Sequence, residues 1–172
     1  MVDSDHLSTA LLEEGWTAMT HAEVARRSGY SKATIYSHWP TPVDLVRDAI
    51  DHICRDTPPP PRSGVLREDL QAALGLFAQA VTQHDYDRLM AGVIERAGDD
   101  AEARELRTRL YRTATSGIRD ILSQHLDAAE VGSVLAMLVG AVLVRATYEG
   151  SPIDPEFCAD ITRRALTTTT PR

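Results

Sequence analysis

The chain has 172 residues, enough for one or two domains with a buried core, and 43% hydrophobic against 25% charged residues is the profile of a globular protein. A net charge of −7 excludes a molecule that is basic as a whole, so any surface that attracts nucleic acid must be local. Two cysteines, Cys54 and Cys158, lie far apart and outside any C-x-x-C pattern, which argues against a disulfide scaffold or zinc ribbon and fits a reducing cytoplasm, with both thiols acting as small buried hydrophobes.

Strand signals are nearly absent. Long stretches rich in Ala, Leu, Arg and Glu, punctuated by Gly and Pro, read as an all-α chain. The first helix carries Leu7, Ala10, Leu11 and Leu12 as an apolar stripe and stops at Gly15. Thr20 and Glu23 then form a capping-box pattern, in which the threonine oxygen accepts a free N–H and the glutamate reaches back. The helix so opened is short and ends at Ser28-Gly29, where glycine tolerates the left-handed conformation. Ser31 caps a third helix that runs to about Trp39. Pro40 closes it, and Thr41-Pro42-Val43-Asp44 opens a fourth, with the threonine as cap, proline at the first helical position and aspartate complementing the dipole. That helix places Val43, Val46, Ile50 and Ile53 on one side.

Residues 56–64, "DTPPPPRSG", contain four consecutive prolines and read as a stiff extended connector. This is the clearest boundary in the chain, dividing residues 1–55 from 56–172. Longer helices are expected beyond it, over 65–83, 86–97 and 101–126, the last as one continuous element. Asp127 and Glu130 form another capping-box pattern before an apolar helix reaching residue 149, and Asp154-Pro155 starts a final helix that fades into "TTTTPR". The most apolar run, 131–144, is shorter than the ~18–20 residues that span a bilayer. It reads as a buried helix rather than a membrane segment. The first residues, "MVDSDHLSTALL", have no basic region ahead of a long apolar core, so no secretion signal is expected.

A short helix, a glycine-containing turn and a second short helix, backed by a third, make a helix-turn-helix pattern, whose second helix is built for the major groove. At about 100° per residue, Ile35 and Trp39 point inward, whereas Ala33, Thr34, Tyr36 and Ser37 point outward. That outward face is small and polar, with one tyrosine, and suits close approach to a DNA backbone and base edges. Lys32, the only lysine, stands in the first turn of this helix, where a cation opposes the helix dipole at a cost of about 0.3–1 kcal/mol. Arg26, Arg27, Lys32 and Arg47 outnumber Glu23 and Asp44 over residues 20–47, so the segment is modestly positive. Arg26 and Arg27 read as solvated charges.

The stretch "LLEEGWTAMTHAEVARRSGYSKATIYSHWPTPVDLV" resembles the N-terminal domain of the TetR (tetracycline repressor) family. The residues that carry the likeness are Gly15, Thr20, Val24-Ala25, Gly29-Tyr30-Ser31 and Ala33-Thr34-Ile35-Tyr36-Ser37-His38-Trp39. The resemblance implies a cytoplasmic homodimeric regulator. Its three-helix N-terminal domain would bind a palindromic operator in double-stranded DNA, and a C-terminal antiparallel helical bundle would take a small-molecule effector that releases it. It also implies that Thr20 and Tyr36 hydrogen-bond phosphates, that Lys32, Ala33, Thr34, Ser37 and His38 face the groove, and that Trp39 is a core aromatic. Two positions depart from the pattern: Pro42 stands where the family commonly holds a phosphate with lysine, and "MVDSD" stands where many members have a basic arm. Both remove positive charge, which points to a shallow salt dependence.

For the effector, Phe77, Met90, Ile94, Tyr111, Thr115 and Met137 are the candidate pocket residues. For the homodimer, Gly132, Ala136 and Gly140 form a small-residue stripe, and with Phe157, Ile161 and Leu166 of the last helix they would build an isologous four-helix interface. Packing of that stripe inside the subunit is the alternative. The six histidines are scattered without nucleophile-base or metal spacing, and His52 and Cys54 have no second ligand pair, so no catalytic site, metal or cofactor is expected. An all-α ligand-binding protein or enzyme, in which the helix-turn-helix is only scaffold, remains the alternative to the regulator.

Overall fold

A computed structural model describes residues 4–56, 59–83 and 86–167. Of the expected frayed tail at 167–172 only Thr167 is described, as the last residue of the final helix, and the expected burial of the Cys54 thiol lies outside what is described. Every regular element among the described residues is helical. The elements are α1 (Ser4–Glu14), a 3₁₀ turn (Trp16–Ala18), α2 (His21–Ser28), α3 (Lys32–His38), α4 (Pro42–Asp56), α5 (Leu66–Gln83), α6 (Tyr86–Ala97), α7 (Ala101–Ala114), α8 (Ser116–His125), α9 (Ala128–Val144), a π-helical turn (Arg145–Glu149) and α10 (Pro155–Thr167).

The contacts gather these helices into two compact units, one from the described residues of 1–57 and 84–113, the other from those of 58–83 and 114–172. In the first unit, α1 packs along α4 through Leu7, Ala10 and Leu11 against Leu45, Val46, Ala49 and Ile50, all buried. Val24, Ile35, Met19 and Trp39 complete this core. Trp16 is also buried and meets α6 at Gly92, where a Cβ would lie 3.0 Å from the Trp16 Cβ, so only glycine fits without displacement. Two ion pairs tie α7 to α4: Arg109 to Asp51 at 2.8 Å and Arg47 to Glu102 at 3.4 Å.

The second unit is built on α5, which contacts α8, α9 and α10 through Leu70, Leu74, Phe77, Ala78 and Val81. Its connector is pinned by Asp69, whose buried carboxylate accepts from the Ser63 N–H (2.5 Å), the Ser63 hydroxyl (2.9 Å) and the Gly64 N–H (3.2 Å). These donors, the Ser63 backbone first, hold the Asp69 carboxyl below the ordinary aspartate value. Cys158 is free and buried, and burial pushes its thiol up.

The structure corrects four local expectations. The helix expected over 101–126 is two: Thr115, fully buried with φ −104° and ψ 1°, interrupts it. Two residues on, Gly117 sits so near Pro60 of the connector that a Cβ would fall 2.8 Å from its ring. The capping box at 127–130 lacks its N-cap half. Asp127 occupies the N-cap position with extended backbone but without a side-chain capping bond. The box at 20–23 is half made: Thr20 Oγ1 accepts from the Glu23 N–H at 3.2 Å, but the Glu23 carboxylate turns to Arg26 and Arg27 instead of reaching back. Finally, the apolar helix reaches residue 149 as expected but is not fully buried, since Gly132, Ala136, Met137 and Val144 are exposed. With the π turn it spans Ala128–Glu149, 22 residues, so length alone does not separate it from a membrane span.

Candidate nucleic-acid interface

The helix-turn-helix is set by short-range capping. Gly29 ends α2 at φ 74°, in the left-handed region, and its N–H bonds the Ala25 carbonyl. Ser31 Oγ accepts from the Thr34 N–H at 3.1 Å and starts α3. At α4 the box is complete: Thr41 Oγ1 accepts from the Asp44 N–H (3.2 Å), while Asp44 accepts from the Thr41 N–H (2.9 Å) and hydroxyl (2.7 Å). The Thr41 hydroxyl, helped by Arg47, holds the Asp44 carboxyl below its ordinary value. These three caps fix where α3 begins and how it leaves.

On α3, Ile35 is buried and Trp39 at the C-cap is 8% exposed, whereas Lys32, Ala33, Tyr36, Ser37 and His38 are exposed and Thr34 is half-exposed. The side chains on this outer face are partly bonded to one another. Thr34 Oγ1 shares a hydrogen bond with Ser31 Oγ at 2.9 Å. The Ser37 hydroxyl and His38 Nδ1 both donate to the Thr34 carbonyl, at 2.8 and 3.1 Å. Lys32 is paired with no carboxylate among the described residues. Thr20, exposed at the N-cap of α2, accepts from Glu23 N–H through its oxygen and keeps its O–H to donate.

The α2 arginines are paired: Arg26 is solvated, with its side chain 68% exposed, whereas Arg27 is 21% exposed. Glu23 takes both, pairing with Arg26 through two nitrogens and with Arg27 at 2.8 Å, while Glu14 and Glu13 also close on Arg27. The Arg26 guanidinium, hydrogen-bonded to Glu23, holds that carboxyl below its ordinary value and is itself raised. An open depression beside Thr20 is lined by Glu14, Thr17, Thr20 and Glu23, so carboxylates flank the hydroxyl.

His21 is the residue that the sequence reading passed over. It is buried at 6% exposure at the first position of α2, its Nε2–H donates to the Trp39 carbonyl at 2.6 Å, and its ring stacks on Tyr36 with centroids 3.8 Å apart and planes 11° apart. No helical period relates residues 21 and 36. The only available signal was a histidine directly after a cap, a place where an exposed polar or acidic residue is usual.

The remaining candidates are dispersed. Met90, Ile94 and Tyr111 lie in the first unit and Phe77, Thr115 and Met137 in the second. Phe77 is buried on α5 and Thr115 at the N-cap of α8, two helices in contact, while Ile94 and Met137 are 54% and 44% exposed. Gly132 and Ala136 are exposed and Gly140 half-exposed, and a Cβ at either glycine would meet nothing within 4 Å. Phe157 and Ile161 are half-buried on α10, which packs on α9. The Arg145 guanidinium lies 4.3 Å from the Phe157 ring and its Nε donates to the Pro152 carbonyl.

Fold and exposed face together define a helix-turn-helix protein, all-α, with its second short helix turned outward. Comparison with known proteins agrees. The model of the bacterial regulatory proteins of the tetR family matches residues 9–49, and that of the tetracyclin repressor-like C-terminal domain matches residues 60–165. The uncharacterized HTH-type transcriptional regulator Rv1556 of Mycobacterium tuberculosis is 32% identical over 123 residues, which is 72% of this chain but 60% of the relative. The match thus spans about 60% of the length of that relative. The crystal structure of the TetR family transcription regulator SCO0332 superposes with a TM-score of 0.72 at 28% identity, covering 98% of this chain and 96% of that one. The multidrug binding protein EbrR, crystallised with proflavin, shares the fold with a TM-score of 0.67 at 14% identity, over 94% of this chain and 96% of its own. The chain belongs to the TetR family of bacterial regulatory proteins.

Proposed function

We propose that the protein is a ligand-responsive transcriptional regulator, a repressor, that binds a palindromic DNA operator as a homodimer. Residues 1–55 carry the DNA and 56–172 the effector and the partner subunit. The observation that carries this reading is the outer face of α3, where Lys32, Ala33, Tyr36, Ser37 and His38 stand exposed next to a buried Ile35 anchor. Thr20 and Tyr36 hold phosphates and the rest of the face meets the groove. Ser37 and His38 there release bonds to the Thr34 carbonyl, and Thr34 its bond to Ser31 Oγ, as they take up bonds to DNA.

The homodimer is supported by α9. Its exposed Gly132 and Ala136, with half-exposed Gly140, leave room for a second helix, and among the described residues nothing lies within 4 Å of a Cβ at either glycine. Met137 and Val144, 44% and 47% exposed, are apolar surface on the same helix. A two-fold pairing of α9 and α10 covers that surface, and it accounts for the apolar length of α9 in a cytoplasmic protein without a membrane. The effector is a small molecule; the fold neighbour EbrR was crystallised in complex with proflavin. Of the candidate effector residues in the second unit, Phe77 and Thr115 are the buried ones.

The test is fluorescence anisotropy with the DNA flanking the protein's own gene and with palindromes selected from a random library. Binding at nanomolar to low micromolar protein, with two protomers per site or a multiple of two, is the expected result. No binding to either DNA would move the reading to a ligand-binding protein or enzyme on a helix-turn-helix scaffold. Binding that no compound in a metabolite and drug panel relieves would remove the effector.

A further inference from the structure

We propose that His21 is a positioning residue for Tyr36, holding the phenol in place for a DNA phosphate; this rests on the DNA-binding reading above. Tyr36 is 53% exposed, so a tyrosine in this position would ordinarily move among rotamers on the surface. Instead one face of its ring lies on the His21 imidazole, at 3.8 Å and 11°. The imidazole cannot follow the phenol away, because Nε2–H is bonded to the Trp39 carbonyl and the ring is 6% exposed. Trp39 in turn caps α3, its N–H on the Ile35 carbonyl at 2.9 Å. The support under Tyr36 is therefore tied to the end of the helix that carries Tyr36.

An aliphatic residue at position 21 would cover the phenol but leave the Trp39 carbonyl, where the chain leaves α3, without its buried donor. A glutamine could reach the carbonyl but offers no ring. Histidine does both. It also follows Thr20 directly, so the two neutral phosphate donors, the Thr20 hydroxyl and the Tyr36 hydroxyl, are fixed by adjacent residues at the start of α2. The stack removes the ordering cost that a free tyrosine would meet on binding. A parallel aromatic pair of this kind corresponds to about a 2- to 10-fold effect on affinity.

The experiment separates ring from donor. His21→Gln keeps a donor for Trp39 and lacks the ring, while His21→Phe keeps the ring and lacks the donor. Operator affinity is measured by anisotropy at a temperature where thermal unfolding shows each variant folded. His21→Gln is expected to bind about 2- to 10-fold more weakly, and His21→Phe within about 2-fold of the parent though less stable. In a Tyr36→Ala background His21→Gln should have no further effect, whereas with Lys32→Ala the two losses should multiply. Two-dimensional NMR supplies a readout that needs no DNA: the Tyr36 ring protons should lose their ring-current shift in His21→Gln and keep one in His21→Phe. The proposal is overturned if His21→Gln binds like the parent, if folded His21→Phe is as weak as His21→Gln, if the loss persists without Tyr36, or if the ring-current shift is absent. If the parent binds no DNA, the DNA-binding reading fails with it; if the parent binds and the histidine variants are silent, this inference alone fails.

Discussion

The salt dependence of operator binding follows from how the cations are spent. Four basic residues lie between 20 and 47, and three of them are already engaged: Arg26 by Glu23, Arg27 by Glu23, Glu14 and Glu13, and Arg47 by Asp44 and Glu102. Lys32 alone among them has no carboxylate partner in the described residues. One unpaired cation among the described residues of this segment gives, for the proposed dimer, about two neutralised phosphates and a slope of log K against log salt of about −2. Raising salt from 50 to 200 mM then weakens binding about tenfold, against the roughly 10³–10⁵ expected for 6–10 phosphate contacts. Anisotropy titrations over that range measure the slope directly. Lys32→Ala should flatten it further without destabilising the fold, since the substitution also removes a cation from the first turn of α3. Glu23→Gln should do the opposite, freeing Arg26 for phosphate and steepening the slope, while Arg27 keeps Glu14 and Glu13. A parental slope steeper than about −5 would mean that the arginines leave their carboxylates on DNA, and the reasoning from the free structure would fail.

Thr20→Ala should cost about 1 kcal/mol of stability by removing the α2 cap, and should weaken DNA binding beyond that of a more distant destabilising control such as a second-unit core variant; thermal unfolding and anisotropy read the two effects separately. Thr162 is fully buried and its hydroxyl has no hydrogen-bond partner among the described residues, so Thr162→Val should stabilise the protein by roughly 1 kcal/mol, seen as a raised Tm; an unchanged or lower Tm refutes it. Asp69 has a folded-state pKa below its unfolded value, so its contribution is present above the ordinary carboxylate range near about 3.9 and is lost as pH falls through the lower folded value. Asp69→Asn should therefore be less stable than the parent at neutral pH, with a gap that closes in acid. Ala136→Glu places a charge on the exposed stripe of α9 and should give a folded monomer by analytical ultracentrifugation, where the proposed function has the parent sediment as a dimer.

The helix-turn-helix was legible because its instructions are local. Thr20, Ser31 and Thr41 each cap a helix by accepting an N–H three residues on, and Gly29 supplies the one left-handed residue between α2 and α3. Such signals survive in a single sequence because no distant partner decides them. The break at Thr115 is the reverse case. Residues 101–126 run on in helix-favouring sequence, and only Thr113 to Gly117 weakens it. What lies against that point is Pro60, more than fifty residues earlier, seated where a side chain on Gly117 would have to be. The Glu23 carboxylate was misread for a related reason: a capping box and an i,i+3/i,i+4 ion pair compete for the same side chain, and two arginines outcompete one backbone N–H.

The same division runs through the site. The exposed positions of α3 follow from helical period once Ile35 is placed inside, since each lies at a fixed angle from it. Period says which way a side chain leaves the helix and nothing about what waits there. Tyr36 leaves α3 outward and is met by His21 from the preceding helix, and that histidine owes its burial to Tyr36 and Trp39, which come fifteen and eighteen residues later. A face with so little free positive charge gains little from nonspecific attraction to the duplex, so its affinity depends on neutral hydrogen bonds made at fixed geometry. Those bonds are the ones most sensitive to how the donor is held. An imidazole under the phenol thus matters more here than it would on a basic face, where a mobile tyrosine costs little beside several arginine–phosphate contacts.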